Sequence, residues 1–169
     1  GAGIHSRTAV LMPVYNESPA GTMANLLAMA DELDKTGHAG AFDIFILSDT
    51  TNPKVWVEEE RIWLEARKLL PEKINLFYRR RPMNLARKSG NIEDFCNKWG
   101  AGYDFMIVLD ADSLVCGETM VKMVQLMEAN PKTGIIQAPP LCVNKHSLFA
   151  RIQQFAGKVY GPVVAAGLA

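Results

Sequence analysis

The chain has 169 residues, 49% of them hydrophobic and 21% charged, a composition that fills the core of one domain and excludes a disordered or fibrous protein. Eighteen basic residues balance eighteen acidic ones, so no net charge attracts nucleic acid or an anionic membrane surface. Any anion-binding site must therefore be built locally.

The first half of the sequence alternates between short apolar runs and helix-forming segments. The apolar run at 8–14 predicts a strand, and residues 20–36, with leucines at helical spacing and Gly37 as a stop, predict a helix. The same alternation predicts a strand at 42–47 and an amphipathic helix at 55–70.

The second half continues this alternation to the end of the chain. It predicts, in order, a strand at 74–78, a helix at 92–99, a strand at 105–109, a helix at 118–130, a fifth strand at 134–138 and a helix at 147–160. Strands that are apolar throughout and separated by helices favour an α/β fold, with a mostly parallel sheet covered by helices on both faces. Ligands of such sheets bind beyond the carboxyl ends of the strands.

The cysteines indicate the redox environment of the protein, and the lengths of its apolar runs indicate whether it crosses a membrane. Cys96, Cys116 and Cys142 are odd in number and form no C-x-x-C motif, which favours reduced, small, buried residues over disulfides or a zinc site. No apolar run reaches the roughly 18 to 20 residues of a membrane span, so the chain as given is expected to be soluble. Residues 1–6 are interpreted as a tag remnant or flexible N-terminus, and residues 7–169 as part of a larger domain.

Two aspartates, Asp110 and Asp112, follow the apolar run of the fourth predicted strand. In extended backbone their carboxylates point the same way, with only Ala111 between them. Because like charges repel unless a cation intervenes, the pair is a candidate site for Mg²⁺ or Mn²⁺, completed by phosphate oxygens of a substrate. The alternative is a helix cap or an Asx-turn at the strand end.

Two polar clusters follow the first and second predicted strands. Asn16 and Glu17 are suited to ribose hydroxyls, because a carboxylate is a pure acceptor, and also to capping the next helix. Asp49 is suited to a nucleotide base or ribose, and the alternative is an Asx-turn toward Asn52.

A basic stretch at 79–88 follows the third predicted strand. One interpretation is an electropositive loop over a diphosphate, with Lys88 as a point charge and Gly90 permitting close approach of the backbone. The other is an ordinary solvated face. Nucleic acid is not expected as a partner, because aromatic residues are not interleaved with these charges.

In this order the clusters resemble the family 2 inverting glycosyltransferases, which include cellulose, chitin and hyaluronan synthases. The similar segments are Pro13-Val14-Tyr15-Asn16-Glu17, Ser48-Asp49, Lys88-Ser89-Gly90-Asn91 and Leu109-Asp110-Ala111-Asp112. Residues 42–49, 77–81, 87–92 and 127–131 are similar to the members that build osmoregulated periplasmic glucans. The resemblance implies a GT-A fold of Rossmann-like topology, truncated at its C-terminal side.

The resemblance also implies ligands and residue roles. It implies UDP-glucose as donor, a growing β-glucan as acceptor, and a parent protein in a bacterial inner membrane with this domain on the cytoplasmic side. By the resemblance, Asp49 holds uracil, Glu17 the ribose, Lys88 the diphosphate, Asp110 the ribose or the metal shell, and Asp112 the metal directly. The metal would neutralise charge on the departing diphosphate.

The chain departs from the family in two motifs. The later acidic motif, whose aspartate deprotonates the acceptor hydroxyl, does not occur, and neither does the Q-x-x-R-W segment, for which Gln153-Gln154-Phe155 is no substitute. Inverting transfer requires that general base. We therefore expect the base to lie beyond Ala169 and this part to be inactive alone.

Two other functions stay open on the sequence. A nucleotidyltransferase also uses paired aspartates and a basic loop, but it is expected to carry a Gly-rich phosphate loop where this chain has Val14-Tyr15-Asn16-Glu17. A module that senses a UDP-sugar without turnover would keep the same binding residues. Binding of uridine nucleotides with and without metal is the observation that separates these classes.

Overall fold

The computed structural model describes residues 3–138 as four strands that alternate with four α-helices, with short 3-10 helices at Ala39–Ala41 and Gly100–Gly102. Their bounds are β1 (Thr8–Val14), α1 (Pro19–Lys35), β2 (Phe42–Ser48), α2 (Pro53–Leu69), β3 (Asn75–Arg80), α3 (Arg87–Trp99), β4 (Phe105–Val108) and α4 (Gly117–Ala129). These elements agree with the predicted ones within a few residues, except that α3 begins at Arg87 rather than at 92. The chain divides after Pro131 into two units, and the site described below belongs to the first.

The sheet is parallel throughout, with the strand order β3-β2-β1-β4. The carboxyl ends of the strands therefore form a single edge, called the carboxyl edge below. The chain moves outward from β1 to β2 and β3, and α3 then returns it to β4 on the other side of β1. Such a reversal, here between β1 and β4, is where open α/β sheets bind ligands.

Helices cover both faces of the sheet, as predicted. Successive side chains of β1 point to opposite faces. Met12 packs in a large apolar cluster with residues of α1, α2 and α4, whereas Leu11 packs in a smaller cluster with Phe95 of α3. The methionine-rich segment of α4 contributes Met120 to the large cluster, as expected of a core residue. β2 is buried along its whole length, which explains why its sequence does not alternate.

Residues 133–138 have irregular backbone, so the fifth strand predicted at 134–138 is wrong. Within this run Ile135 is 87% exposed, and Ile136 is half-buried. A short apolar run indicates only that its burial is favourable, whereas a strand also requires a neighbouring strand for its backbone hydrogen bonds. The helix predicted at 147–160 and Cys142 lie outside the described residues.

The expectation that the cysteines are buried is wrong for Cys96 and Cys116, which are exposed thiols. Cys96, next to the buried Phe95 on α3, is exposed, with its Sγ 3.9 Å from the Met106 Sδ of β4. Cys116 occupies the N-cap position of α4, with its Sγ 2.9 Å from the Thr119 hydroxyl. An N-cap side chain stays at the surface, which the composition of the chain does not reveal. Separately, none of the helices within residues 3–138 combines the length and the apolar character needed to cross a membrane.

Gly117, at the start of α4, lies directly against the backbone of α1. A Cβ atom at this position would clash with the Glu32 carbonyl and lie 2.6 Å from the Leu33 nitrogen. Gly117→Ala is therefore expected to lower the free energy of unfolding by about 1 to 3 kcal/mol, the usual cost of overpacking. The control is Gly100→Ala, whose Cβ would make an ordinary 3.5 Å contact with Cys96. Urea denaturation compares them, and equal losses would contradict the tight contact between α1 and α4.

Candidate functional site

Asp49 follows the last residue of β2 and is buried at the carboxyl edge. The guanidinium of Arg81 donates two parallel hydrogen bonds to its carboxylate, Nε to Oδ1 and Nη2 to Oδ2, each at 2.7 Å. The Asx-turn alternative is not what forms, since the N–H two residues on, that of Thr51, donates to Asn16 Oδ1 instead. A carboxylate has about four acceptor sites, so Asp49 keeps capacity for a further donor.

Arg81 connects Asp49 to the start of α3. Its backbone N–H donates to the Ser48 carbonyl at 3.0 Å, which continues the pairing of β2 with β3 by one residue. Its Nη2 also donates to the carbonyls of Leu85 and Arg87, both at 3.2 Å. Hydrogen bonding to Asp49 raises the pKa of Arg81, which keeps the guanidinium charged. The ion pair thus holds the segment that carries Lys88.

Asn16 joins the loop after β1 to the loop after β2. Its Oδ1 accepts from the N–H groups of Thr51 and Asn52 at 3.3 and 3.1 Å, and its own N–H donates to the Thr50 hydroxyl at 3.0 Å. Its backbone is left-handed, with φ of 52°, a conformation that asparagine adopts more readily than most residues. The side chain therefore holds the two loops together.

Neither Asn16 nor Glu17 caps the following helix, so that interpretation is wrong. Ser18 is the N-cap of α1, and its hydroxyl accepts from the Gly21 N–H at 3.4 Å. Glu17 is exposed at the carboxyl edge, beside a small cavity that Tyr78 also lines. Its carboxylate is free to meet a ligand from solvent.

Residues 88–91 form the first turn of α3 rather than the loop that was expected. A Cβ on Gly90 would clash with the Leu85 carbonyl, so the close approach at this glycine is made by the protein's own backbone. Asn91 is buried, donates to the Leu47 carbonyl at 2.8 Å and accepts from Arg79 at 2.6 Å. Gly90 and Asn91 thus attach α3 to the sheet, and Lys88 stays exposed.

The arginines of the basic stretch are held by the protein. Arg79 binds Asn91 and lies 3.3 Å from the carboxylate of Asp94, and burial lowers its pKa. Arg80 lies over the ring of Trp56, with 4.6 Å from its guanidinium carbon to the ring centroid. Together with Arg81 on Asp49, these contacts show that 79–81 is neither a mobile loop nor a solvated face.

Asp110 and Asp112 lie in a turn, so the extended backbone expected at 110–112 is wrong. The Ser113 N–H donates to the Asp110 carbonyl at 2.9 Å and closes this turn. β4 pairs with β1 only as far as Val108, and no ladder keeps the chain extended beyond 109. Both carboxylates are exposed, and the Lys88 ammonium forms an ion pair with Asp110.

The acidic pair fits one class of metal site. Residues 3–138 contain no group of three or more His, Cys, Asp or Glu side chains that could hold a metal ion. Mg²⁺ does not need such a group, because it is commonly bound by one or two carboxylates together with substrate phosphates and water. Two exposed carboxylates on one turn supply that donor set, and their hard oxygens suit Mg²⁺ or Mn²⁺. A metal at Asp110 has to share that carboxylate with Lys88.

Sequence reasoning missed Glu59, a buried residue of α2 that is 5% exposed. Its carboxylate accepts hydrogen bonds from the hydroxyls of Ser48 and Thr50, both at 2.6 Å, and of Tyr78 at 2.9 Å. Burial is the main cause that raises the pKa of Tyr78. The available signal was a pair of hydroxyl residues flanking Asp49, which need an acceptor where β2 ends. The pairing of Arg81 with Asp49 was missed as well, and only the neighbouring positions of β2 and β3 pointed to it.

Comparison with known proteins identifies the family. Residues 9–163 match the family model of glycosyl transferase family 2. The chain is 51% identical over 164 residues to the glucans biosynthesis glucosyltransferase H of Vibrio cholerae, covering 97% of this chain and 23% of that protein. The protein of the same name from Bradyrhizobium diazoefficiens is also 51% identical over 164 residues, with 97% and 22% covered. The chain thus spans less than a quarter of the length of these curated relatives.

The chain is also similar to a solved structure, that of S. aureus TarS 1-349, with a TM-score of 0.49 and 16% identity. The alignment covers 79% of this chain and 39% of the TarS chain. The predicted fold class, an α/β GT-A type with a parallel sheet and helices on both faces, is confirmed by the strand order and by the family match. The family match covers most of the sequence, and so does the identity to the two relatives. The chain therefore belongs to glycosyltransferase family 2.

Proposed function

We propose that this chain is the donor-binding part of a glucosyltransferase that uses UDP-glucose and Mg²⁺ or Mn²⁺ to extend a β-glucan. The relatives are named for glucan biosynthesis, and family membership favours glycosyl transfer over nucleotidyl transfer. The observation that carries the proposal is a continuous set of contacts along the carboxyl edge. It runs from Asp49 through Arg81 to the segment bearing Lys88, and from Lys88 to Asp110.

The nucleoside would lie at the β1 and β2 end of this edge. Asp49 is oriented by Arg81 and retains acceptor sites for an N–H of the uracil ring. Glu17 is an exposed carboxylate suited to the ribose hydroxyls, and Asn16 holds the loop that carries it. Both carboxylates are suited to these ligand groups, because the uracil N–H and the ribose hydroxyls are hydrogen-bond donors.

The diphosphate would lie at the β4 end, between Lys88 and the turn with Asp110 and Asp112. Lys88 supplies a positive charge beside the phosphate oxygens, and the exposed carboxylates are available to a metal ion. When bound, the metal would neutralise the charge that develops on the departing diphosphate.

Inverting transfer also needs a general base that deprotonates the acceptor hydroxyl on the side opposite the diphosphate. We place that base outside this chain, together with the segment that binds the growing glucan. The 169-residue chain is then expected to bind the donor without turning it over. We further propose that the whole protein resides in a bacterial inner membrane, with this domain on the cytoplasmic side.

Asp112→Ala tests the metal site within this proposal. In Mn²⁺ the wild-type chain is expected to bind UDP more tightly than in EDTA, and the variant should lose that difference, a drop of about tenfold or more for one charge-assisted ligand. Glu72→Ala, an exposed carboxylate in the turn before β3 at the opposite edge, is the control. Calorimetric titration measures all three proteins.

Metal-dependent UDP binding that persists in Asp112→Ala would exclude Asp112 as the metal ligand. A wild-type chain that binds neither UDP nor UDP-glucose, with or without Mn²⁺, would remove the support for donor binding as a whole. If the isolated chain binds UDP-glucose and also hydrolyses it or transfers its glucose, the general base cannot lie in another segment.

A further inference from the structure

The hydrogen bonds around Glu59 share one direction. A carboxylate accepts and does not donate, so each of its three hydroxyl partners must point its hydrogen at Glu59. The lone pairs of those hydroxyls then face other donors. The Ser48 hydroxyl accepts from the Thr50 N–H at 3.2 Å, and the Thr50 hydroxyl accepts from the Asn16 N–H at 3.0 Å.

Asp49 lies between two residues that Glu59 holds. Alternate residues of an extended chain point to opposite faces, so Ser48 and Thr50 share a face and Asp49 points to the other. Glu59 fixes the first face from α2, and Arg81 receives Asp49 on the second. Ser48, Asp49 and Thr50 are all buried, which limits any other arrangement of the strand end.

The same network reaches two loops of the carboxyl edge and strand β3. Through Thr50 it ties the loop after β2 to Asn16 in the loop after β1. Through the Tyr78 hydroxyl it reaches β3, three residues before Arg81. Glu59 also lines the cavity beside Glu17. One buried carboxylate therefore connects the elements that carry the nucleoside end of the site.

We propose that Glu59 is a positioning residue for donor binding: it orients the two hydroxyls that flank Asp49 and thereby sets the direction in which Asp49 presents its carboxylate to the nucleotide base. This inference rests on the proposed function. A glutamine at this position would bring two N–H donors into the cluster, and at least one hydroxyl would have to reverse. The hydrogen of the reversed hydroxyl would then lose the carboxylate acceptor that Glu59 now supplies.

Glu59→Gln is expected to raise the Kd of UDP in Mn²⁺ by about tenfold, the effect of one misplaced buried hydrogen bond. The matched control is Asp43→Asn, a second buried carboxylate, located at the opposite end of β2. Asp43 also accepts from three side chains, those of Arg7, Asn75 and Tyr103 at 2.6, 2.8 and 2.8 Å. Both variants are expected to lower Tm, and only Glu59→Gln is expected to weaken UDP binding.

Thr50 supplies a second test that does not depend on the folding of Glu59→Gln. Thr50→Ser keeps the hydroxyl and should bind UDP as the wild type does, whereas Thr50→Val removes it and should weaken UDP binding about as much as Glu59→Gln. Glu59 and Thr50 share one hydrogen bond. The Kd of UDP should therefore rise in the double variant by less than the product of the two single increases. A purely structural role would not distinguish Thr50→Ser from Thr50→Val in UDP affinity at equal Tm.

Wild-type affinity for UDP in Glu59→Gln, or in Thr50→Val, would overturn the role of Glu59 while the proposed function stands. Equal weakening in Glu59→Gln and Asp43→Asn would also overturn it, because general destabilisation would then be the cause. A wild-type chain that does not bind UDP is a different result, since it removes the proposed function and the role of Glu59 in it together.

Discussion

Arg81→Met is expected to lower the free energy of unfolding by roughly 3 kcal/mol, the lower end of the cost of leaving one member of a buried ion pair without its partner. The side chains of Arg81 and Asp49 are 12% and 5% exposed, so water does not replace the lost hydrogen bonds. The variant also removes the contacts of Arg81 with the carbonyls of Leu85 and Arg87. Urea denaturation followed by circular dichroism measures the change.

Arg61→Met is the control, because Arg61 forms a similar two-bond pair with Glu58, through Nε at 2.9 Å and Nη2 at 2.6 Å. Those side chains are 62% and 43% exposed, and solvent screens such pairs. The control should therefore unfold at the wild-type urea concentration. Equal behaviour of the two arginine variants would show that the Asp49 pair is hydrated in solution.

Lys88→Met is expected to raise the Kd of UDP by about tenfold to a hundredfold, the range of a hydrogen bond to a charged group, while leaving the Kd of uridine unchanged. Methionine keeps most of the length of the side chain and removes only its charge. Uridine lacks the diphosphate that Lys88 would contact, so it reports the nucleoside end alone. Calorimetric titration of both ligands in Mn²⁺ measures the two Kd values for the wild type and the variant.

Lys73→Met is the control for Lys88, since Lys73 is an exposed lysine before β3, at the opposite edge of the sheet. The effect at Lys88 should shrink as salt rises, because the contact is exposed and therefore screened. Equal loss of UDP and uridine affinity in Lys88→Met would place Lys88 away from the diphosphate. No loss for either ligand would exclude it from the site.

The elements of the fold were accessible from the sequence where local pattern and tertiary role agree. β1 was predicted at its observed bounds, and β2 within one residue, because both are apolar strands followed by a polar turn and a helix. The start of α3 was placed too late, since Lys88 and Ser89 read as part of a basic loop. The run at 134–138 was assigned as a strand because it is apolar, and apolar character alone does not specify a pairing partner.

The sequence likewise indicated some residues of the candidate site but not how they pair. Residue types and order along the chain led to Asn16, Glu17, Asp49, Lys88, Asp110 and Asp112, whose ligand roles stay predictions. The sequence does not show that Arg81 pairs with Asp49, because the two are separated by the whole of α2 and β3 and meet only when β2 and β3 align. For the same reason the sequence does not show that Glu59, within the amphipathic helix predicted at 55–70, is buried against three hydroxyls.

By itself, the sequence determined the alternation of strands and helices, the family and the residue types at the carboxyl edge, because these depend on local pattern and on motifs in order. The tertiary structure alone decided which charges face one another. Asp49 meets Arg81, Glu59 meets three hydroxyls, and Lys88 meets Asp110. Such pairings depend on which strands are neighbours and on their register, and they form between residues that are distant in the chain.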